Sequence, residues 1–196
     1  MKLNTPNKLT IIRVIMTPVF LALIMWESLP HRYLIACLVF SIASITDAID
    51  GHLARKNNQI TNLGKFLDPI ADKILTTAAL LAFMANGLCN VWIVMLVLAR
   101  EFIIASMRML AASCGVVIPA NIYGKIKTVT QMVSTIVIMT VAEAYYVVET
   151  NFADLYTKLP SLSLVSNGLL WITAIFTVIS GVIYIKDSAK TIDFSK

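Results

Sequence analysis

The sequence is poor in charge. Charged residues make up only 14% of its 196 residues and hydrophobic residues 58%, with a mean hydropathy of +0.81. A soluble domain carries about a quarter charged residues, so this shortage excludes an ordinary soluble protein and predicts an integral membrane protein. Once the apolar segments are counted, no room is left for a separate soluble domain. Residues 1–196 are therefore expected to form a single membrane domain.

Cysteine and recognisable processing signals are also scarce. The three cysteines, Cys37, Cys89 and Cys114, are odd in number, widely spaced and set in apolar sequence, so a disulfide framework or metal site is not expected. We expect all three to be buried and without a chemical role. The first apolar run ends at Trp26 without a small-residue cleavage site, which predicts a retained first span.

Long apolar stretches dominate what is present. Six of them are long enough, or nearly so, for the roughly 20 helical residues that cross a bilayer core. The third is interrupted by Asp68, Asp72 and Lys73. The sequence thus predicts an all-α integral membrane protein with six transmembrane helices, over approximately Leu9–Trp26, Tyr33–Ile49, Phe66–Asn86, Val91–Ala112, Thr128–Val148 and Gly168–Ile185.

The positive charges are distributed unequally between the two sides of these spans. The loops on one side hold only Arg32 and Lys158, and the side that carries both termini holds ten basic residues: Lys2, Lys8, Arg55, Lys56, Lys65, Lys125, Lys127, Lys186, Lys190 and Lys196. The positive-inside rule then predicts that both termini are cytoplasmic. The net charge of +5 is explained by topology and by anionic lipid headgroups, and no nucleic-acid partner is expected.

The few acidic residues are concentrated in one segment. Four of the 11 occur in the pattern Asp47-x2-Asp50-Gly51-x2-Ala54-Arg55-x8-Gly64-x3-Asp68-x3-Asp72. A carboxylate within the membrane costs roughly 2.5–3.5 kcal/mol on insertion scales, so such residues are functional candidates. On helices, the first group of aspartates and the second would each form one stripe. We expect an antiparallel hairpin whose stripes are able to face each other, with Gly51, Ala54 and Gly64 leaving room along the seam.

Four neighbouring carboxylates repel one another, by about 4 kcal/mol per pair at 4 Å and an effective dielectric constant of 20. Either some are protonated or cations occupy the site. Oxygen ligands favour hard ions, which points to Mg²⁺ or Mn²⁺, and two such ions would suit in-line phosphoryl transfer. The alternative is a set of structural aspartates that pair with Arg55, Lys56 and Lys73.

The aspartate pattern resembles the signature of the CDP-alcohol phosphotransferases at every defining position. Four further motifs resemble the phosphatidylglycerophosphate synthases of bacteria within that family. They are Asn7-x2-Thr10-x2-Arg13-x4-Pro18, Asp68-Pro69-x-Ala71-Asp72-Lys73, Ala99-Arg100-Glu101 and Gly124-Lys125-x-Lys127-Thr128-x2-Gln131. Together these motifs cover roughly residues 7 to 131.

The resemblance implies a homodimeric enzyme of the bacterial inner membrane, with its active site at the cytoplasmic face. Its substrates would be CDP-diacylglycerol and sn-glycerol 3-phosphate, and its products phosphatidylglycerol phosphate and CMP. Asp47, Asp50, Asp68 and Asp72 would ligate two Mg²⁺ or Mn²⁺ ions, and Asp72 would also be the general base. CDP-diacylglycerol would be bound by Thr10, Arg13, Gly51, Ala54, Arg55 and Gly64.

The phosphate of the acceptor requires cations within the cytoplasmic half of the bundle. Arg108, Lys125 and Lys127 are the candidates, and because residues two apart point to different helix faces, only one of the lysines should reach the pocket. We favour Lys125. Arg100 and Glu101 either line this cavity or form a structural charge network, in which Glu101 would accept from Lys73 or Lys127.

Other functions remain open at this stage. The same chemistry with inositol phosphate or phosphatidylglycerol as acceptor would use the same aspartates. A divalent-cation transporter also places acidic residues inside a helical bundle, although here the acids lie at one face only. A non-catalytic lipid-binding scaffold is a third class, in which the aspartates would be dispensable.

Overall fold

Every regular element that the structure describes is an α-helix. The structure, a computed structural model, describes residues 5–56, 62–114 and 122–189. Within these ranges, the side chains of 5–7, 47–56, 62–69, 72 and 189 are not described. The helices are α1 (Thr5–Met25), α2 (Arg32–Lys56), α3 (Asn62–Ala85), α4 (Val91–Ser113), α5 (Ile122–Asn151), the short α6 (Ala153–Tyr156) and α7 (Leu162–Ala189).

Each predicted apolar stretch coincides with one long helix, so the all-α prediction is confirmed. The helices extend further than the stretches, most clearly where α2 continues to Lys56, α3 begins at Asn62 and α5 begins at Ile122. An apolar stretch in the sequence marks only the part of a helix that lies in an apolar environment. The helix continues beyond that stretch because polar residues can form the same backbone hydrogen bonds. The four-residue helix α6 was not predicted.

The long helices pack as two groups of three. Helix α1 packs against both α2 and α3, and α7 packs against both α4 and α5, while α2 joins the groups by packing on α5. Over the described residues, α2 and α3 contact each other less than either contacts α1. The expected hairpin of α2 and α3 is therefore supported mainly by α1, which lies against both of its helices. Phe20 of α1 and Phe40 of α2, with ring centroids 5.7 Å apart, form part of this contact.

Apolar and polar side chains occupy opposite ends of the interior. The core lies towards the end of the bundle where α1 ends and α2 begins, and includes Phe20, Phe40, Phe83, Ile93, Ile138 and Leu170. Most buried polar side chains of α1, α5 and the last turns of α7 lie nearer the other end, and include Thr10, Arg13, Lys127, Gln131, Ser180 and Ser188, whereas Glu143 of α5 is buried at the apolar end. The aspartates of α2 and α3 belong to this polar end by their position along the helices.

Hydrogen bonds connect neighbouring elements at the apolar end of the bundle. The Asn90 side chain accepts from Trp92 N–H at 2.9 Å and so caps α4, while Asn90 N–H donates to Asn167 Oδ1 of α7 at 2.7 Å. Ser166 Oγ of α7 donates to the carbonyl of Leu88 at 2.7 Å. The connection between α3 and α4 is thereby held against the start of α7.

Three of the described helical segments are long and apolar enough to cross a bilayer: Lys8–Met25, Ile122–Asn151 and Leu162–Ser188. The apolar parts of α2 and α3 are shorter, and α4 carries Arg100, Glu101 and Arg108. Large apolar side chains are nevertheless exposed on α4 as on the others, among them Phe102 at 68% and Met109 at 74%. Exposed apolar surface on this scale indicates a membrane-embedded protein.

The cysteine prediction was only partly right. Cys89 is buried and Cys37 is half-buried, but Cys114 is exposed, so the expectation that all three are buried is wrong. Cys114 follows the last residue of α4, where the chain leaves the packed part of the bundle. Burial raises the pKa of the Cys89 thiol to about 11, because the thiolate would lose its hydration there.

Candidate active site

The aspartates lie on two continuous helices that meet through a five-residue connection. Helix α2 runs unbroken through Asp47 and Asp50, and α3 through Asp68 and Asp72, so the helical spacing on which the two stripes depend is confirmed. Asp50 precedes the end of α2 by six residues and Asp68 follows the start of α3 by six, a rise of about 9 Å in each case. Asp47 and Asp72 lie one turn deeper on their helices. Counted along the chain, the four positions therefore lie at similar distances from the connection between α2 and α3.

The side chains of these aspartates, and those of Gly51, Ala54, Arg55 and Gly64, lie outside the described set. Metal ligation by the aspartates and nucleotide binding by the others accordingly stay predictions. Among the side chains that are described, no group of three or more His, Cys, Asp or Glu residues is placed to hold a metal ion.

Arg13 reaches α2 one turn from the first aspartate. It lies on α1 with Thr10 on the same face, and both residues are only 1% exposed. Arg13 Nε donates to the carbonyl of Ala43 at 3.3 Å. In an α-helix this carbonyl also accepts from the N–H of residue 47, so the guanidinium lies beside the backbone of Asp47. A buried cation thus lies one helical turn from Asp47, and nucleotide binding by Thr10 and Arg13 stays a prediction.

A second polar cluster surrounds Glu101 in the middle of α4. Its carboxylate accepts from Lys127 Nζ of α5 and from Arg100 Nη1 at 3.1 Å, and Lys73 Nζ of α3 lies 3.8 Å away. Three cations from three helices thus share one carboxylate. Both predicted partners of Glu101 are found, and Arg100 joins them although adjacent helical residues need not pair.

Arg100 packs beside two glycines. A Cβ at Gly181 of α7 would lie 3.1 Å from Arg100 Cγ, and one at Gly124 of α5 would lie 3.6 Å from Nη2. Arg100 Nη2 also donates to Ser180 Oγ at 3.3 Å. The absence of a side chain at Gly181 therefore makes room for this arginine between α5 and α7, while the contact at Gly124 is an ordinary one.

The two lysines of α5 point to different faces, as expected, but the inward one is Lys127. Lys127 is 3% exposed and Lys125 is exposed, so the structure does not favour the choice of Lys125. Arg108 lies on α4 two turns beyond Glu101. Its Nε donates to Tyr184 Oη at 3.3 Å and its guanidinium carbon is 5.5 Å from the centroid of that ring.

Sequence reasoning missed the contributions of α7. Ser180 binds Arg100, Tyr184 supports Arg108, and Thr173 forms a hydrogen bond of 2.9 Å with Ser134 of α5. Ser180 and Tyr184 are four apart, and Thr173, Thr177 and Ser180 recur at helical spacing. That polar stripe within an apolar helix was the available signal, because a hydroxyl row on one face indicates contact with another helix.

Comparison with known proteins gives a consistent result. The family model described as CDP-alcohol phosphatidyltransferase matches residues 3–179. A protein of Bacillus subtilis named CDP-diacylglycerol–glycerol-3-phosphate 3-phosphatidyltransferase is 37% identical over 189 residues, covering 91% of each chain. A protein of the same name from Rickettsia bellii is 34% identical over 187 residues, covering 95% of this chain and 96% of the relative. A probable phosphatidylglycerophosphate synthase of Mycobacterium tuberculosis is 39% identical over 133 residues, 67% of this chain and 63% of the relative. The chain therefore belongs to the CDP-alcohol phosphatidyltransferase family.

Proposed function

We propose that this protein transfers the phosphatidyl group of CDP-diacylglycerol to sn-glycerol 3-phosphate, giving phosphatidylglycerol phosphate and CMP. One observation carries the proposal. The chain aligns over nine tenths of its length with relatives named for this reaction, and the four aspartates of the family signature fall on two consecutive helices, α2 and α3.

The reaction breaks a phosphoanhydride bond and forms a phosphoester bond. A hydroxyl oxygen of glycerol 3-phosphate bonds to the phosphorus that carries the diacylglycerol, and the bond from that phosphorus to the oxygen of CMP breaks. The hydroxyl proton goes to a carboxylate, for which Asp72 is our candidate. This transfer is needed because an alcohol that keeps its proton is a weak nucleophile. Holding the hydroxyl next to the phosphorus supplies the further advantage of a positioned reactant.

Asp47, Asp50, Asp68 and Asp72 would hold Mg²⁺ or Mn²⁺, with two ions per active site. The donor set suits hard divalent cations, since it consists of carboxylates only, carried on the two consecutive helices α2 and α3. When bound, the ions would supply positive charge that neutralises the diphosphate and improves CMP as a leaving group. The aspartates would in turn be relieved of their mutual repulsion.

The donor substrate would occupy the space between α1, α2 and α3. Arg13 is buried beside the backbone of Asp47 and brings a cation to the level at which a diphosphate would lie. Thr10, one turn earlier on the same face, offers a hydroxyl. Gly51, Ala54 and Gly64 would leave space for the cytidine, and Arg55 would add charge at the end of α2.

The acceptor phosphate would bind among the cations of α4 and α5. Arg108 suits this role because, within the described part of the chain, its hydrogen bonding is limited to Nε, leaving both terminal nitrogens available for phosphate. Lys127 lies inside the bundle, where its pairing with Glu101 would fix the position of its ammonium group. Lys125, which is exposed, would then meet lipid phosphates or the outer edge of the pocket.

The proposal includes the arrangement in the membrane. All six long helices would cross the bilayer, with both termini and the active site on the cytoplasmic side of a bacterial inner membrane. The concentration of Lys and Arg on the side of the aspartates supports this orientation. A homodimer is part of the same expectation and rests on the family resemblance.

The direct test is CMP release from CDP-diacylglycerol by purified protein in detergent with Mg²⁺ or Mn²⁺. Parallel reactions would contain glycerol 3-phosphate, inositol 1-phosphate, serine or phosphatidylglycerol. We expect release with glycerol 3-phosphate alone. Release with another acceptor would retain the donor chemistry and overturn the acceptor. Folded protein that releases no CMP with any of them would favour a cation transporter or a lipid-binding scaffold instead.

Variants separate the proposed roles. Asp72→Asn and Asp68→Ala should abolish turnover while the protein still inserts and remains monodisperse, and normal turnover in either would contradict the role given to that residue. Arg108→Ala should raise the KM for glycerol 3-phosphate about tenfold or more with little change in the KM for CDP-diacylglycerol, because a charged hydrogen bond contributes about 1.5–3 kcal/mol. Lys158→Ala, at the opposite end of the bundle, is the matched control and should change neither constant.

A further inference from the structure

A cavity of about 230 Å³ lies at the end of the bundle opposite the aspartates. It is lined by the connection between α1 and α2, the first turn of α2, the last turns of α5, α6 and the first residue of α7. Arg32, which lines it, precedes Asp47 by 15 residues of continuous helix, a distance of about 22 Å. The cavity is therefore separate from the proposed active site.

Charges of both signs line this cavity without pairing. Arg32, Glu27 and Glu149 all face it, yet no ion pair joins them, and neither glutamate accepts a hydrogen bond from any residue that the structure describes. Oppositely charged side chains around one space normally approach each other if nothing else neutralises them. Their separation provides one anion-binding and one cation-binding position within a single cavity.

The Arg32 side chain is held in place but incompletely satisfied. Its Nη2 donates to Tyr33 Oη at 3.1 Å, and its guanidinium carbon lies 4.8 Å from the centroid of the Tyr33 ring. Its Nη1 atom is buried and has no hydrogen-bond partner among the described residues. A buried cationic N–H without an acceptor is costly, so an oxygen of an anionic ligand would stabilise this arrangement.

Contacts next to the cavity connect the two chain segments that carry Arg32 and Glu149. His31 Nδ1 lies 2.5 Å from Glu143 Oε1, and Glu143 Oε2 accepts from Leu34 N–H at 3.2 Å. The His31 ring meets Tyr146 edge to face with centroids 5.2 Å apart. These contacts join the α1–α2 connection and the start of α2 to α5, so the helices that carry Arg32 and Glu149 are held together beside the cavity.

The surroundings favour a lipid over a soluble ligand. Phe152 and Leu155, next to the cavity at α6, are 61% and 50% exposed. Tyr145 donates to the carbonyl of Pro160 at 2.9 Å and meets the ring of Tyr156, so aromatic side chains gather at this end of the bundle. Tyrosines and exposed apolar residues at the end of membrane helices are typical of the headgroup level of a bilayer.

We propose that this cavity binds the zwitterionic headgroup of a phosphoethanolamine lipid, with its phosphate at Arg32 and its ammonium group between Glu27 and Glu149. A volume of 230 Å³ is smaller than the roughly 300–1,000 Å³ of pockets for drug-sized ligands and suits a headgroup of this size. The primary ammonium donates to carboxylates and the phosphate accepts from the free arginine nitrogen. A lipid with phosphate but no ammonium, such as phosphatidylglycerol, would use only half of the site.

The test is lipid binding to delipidated full-length protein, measured by native mass spectrometry. The probes are short-chain phosphatidylethanolamine, short-chain phosphatidylglycerol and soluble phosphoethanolamine. We expect phosphatidylethanolamine to bind at least tenfold more tightly than either of the others. Equal affinity for phosphatidylglycerol would overturn recognition of the ammonium group, and equal affinity for soluble phosphoethanolamine would overturn the assignment to a lipid.

Variants confine the result to this cavity. Arg32→Gln should weaken phosphatidylethanolamine binding about tenfold, as expected for loss of a charged hydrogen bond, whereas Lys158→Gln, which removes the other basic residue predicted at this face, should not. Equal effects of these two changes would refute the proposal.

Glu27→Gln combined with Glu149→Gln alters two exposed residues, so folding is preserved, and it should reduce the affinity for phosphatidylethanolamine to that for phosphatidylglycerol. A double variant that retains the preference would equally refute it. CMP release should be unchanged in all of them.

Discussion

Replacing Glu101 by glutamine tests whether the carboxylate shared by three helices stabilises the bundle. At an effective dielectric constant of 20, one unit charge pair at the 3.8 Å distance of Lys73 gains about 4 kcal/mol of gross attraction. The net contribution is smaller, because the carboxylate also loses hydration inside the bundle and the amide retains one acceptor oxygen. We expect Glu101→Gln to lower the free energy of unfolding by about 2–3 kcal/mol, the range of a few charged hydrogen bonds.

Thermal unfolding in detergent, followed by circular dichroism, measures this loss. For a chain of this length the expected decrease corresponds to about 4–12 °C in the melting temperature. Asp154→Asn, which removes an exposed carboxylate of α6 that has no ion pair among the described residues, is the matched control and should shift it by less than about 2 °C.

A double-mutant cycle shows whether the effect comes from the pair with Lys127. Glu101→Gln, Lys127→Met and the combined variant should give a coupling energy of at least about 1 kcal/mol, because the two groups are in direct contact. A melting temperature unchanged in Glu101→Gln would show that this carboxylate does not stabilise the bundle and would refute the reasoning. Additive effects in the cycle would show that the pair with Lys127 contributes nothing.

Two further predictions concern packing and thiol chemistry. Gly181→Ala places a Cβ 3.1 Å from Arg100 Cγ and should destabilise the fold by about 1–2 kcal/mol, whereas Gly168→Ala on the same helix meets no atom within 4 Å and should be neutral or slightly stabilising; equal melting temperatures would contradict this. Cys89, whose pKa is raised to about 11, stays protonated up to that pH, so at pH 8 only about one thiol in a thousand is the reactive thiolate. Maleimide at pH 8 should therefore label Cys114 and spare Cys89 in the folded protein, and rapid labelling of Cys89, read by peptide mass spectrometry, would show that it is accessible and ionised.

The features predicted best from the sequence were those that depend on local pattern. Each apolar stretch predicted a helix, because a helix in an apolar environment needs a continuous run of apolar residues. The aspartate pattern falls within the two consecutive helices α2 and α3. The extent of the helices was less predictable. Hydropathy gives no signal for the polar turns of α2 and α3, whose backbone hydrogen bonds do not depend on the lipid.

Contacts between distant helices could not be predicted in this way. Lys125 and Lys127 differ by about 200° around α5, so either could point inward, and the sequence near them does not decide which. The choice is made by Glu101, 26 residues earlier on α4, which pairs with Lys127. The same holds for Arg32 and Glu149, whose common cavity exists only because α2 and α5 pack together.

The separation of apolar and polar residues along the bundle has a consequence for how the protein can change. The side chains that hold the helices together are concentrated at the end that begins α2 and α4, and the charges that would meet substrate occur towards the other end. Substitutions among those charges therefore leave most of the buried apolar surface intact. Charges that do not pair with one another could therefore be exchanged without opening the apolar core, whereas Glu101 and Lys127, which pair, also stabilise the bundle.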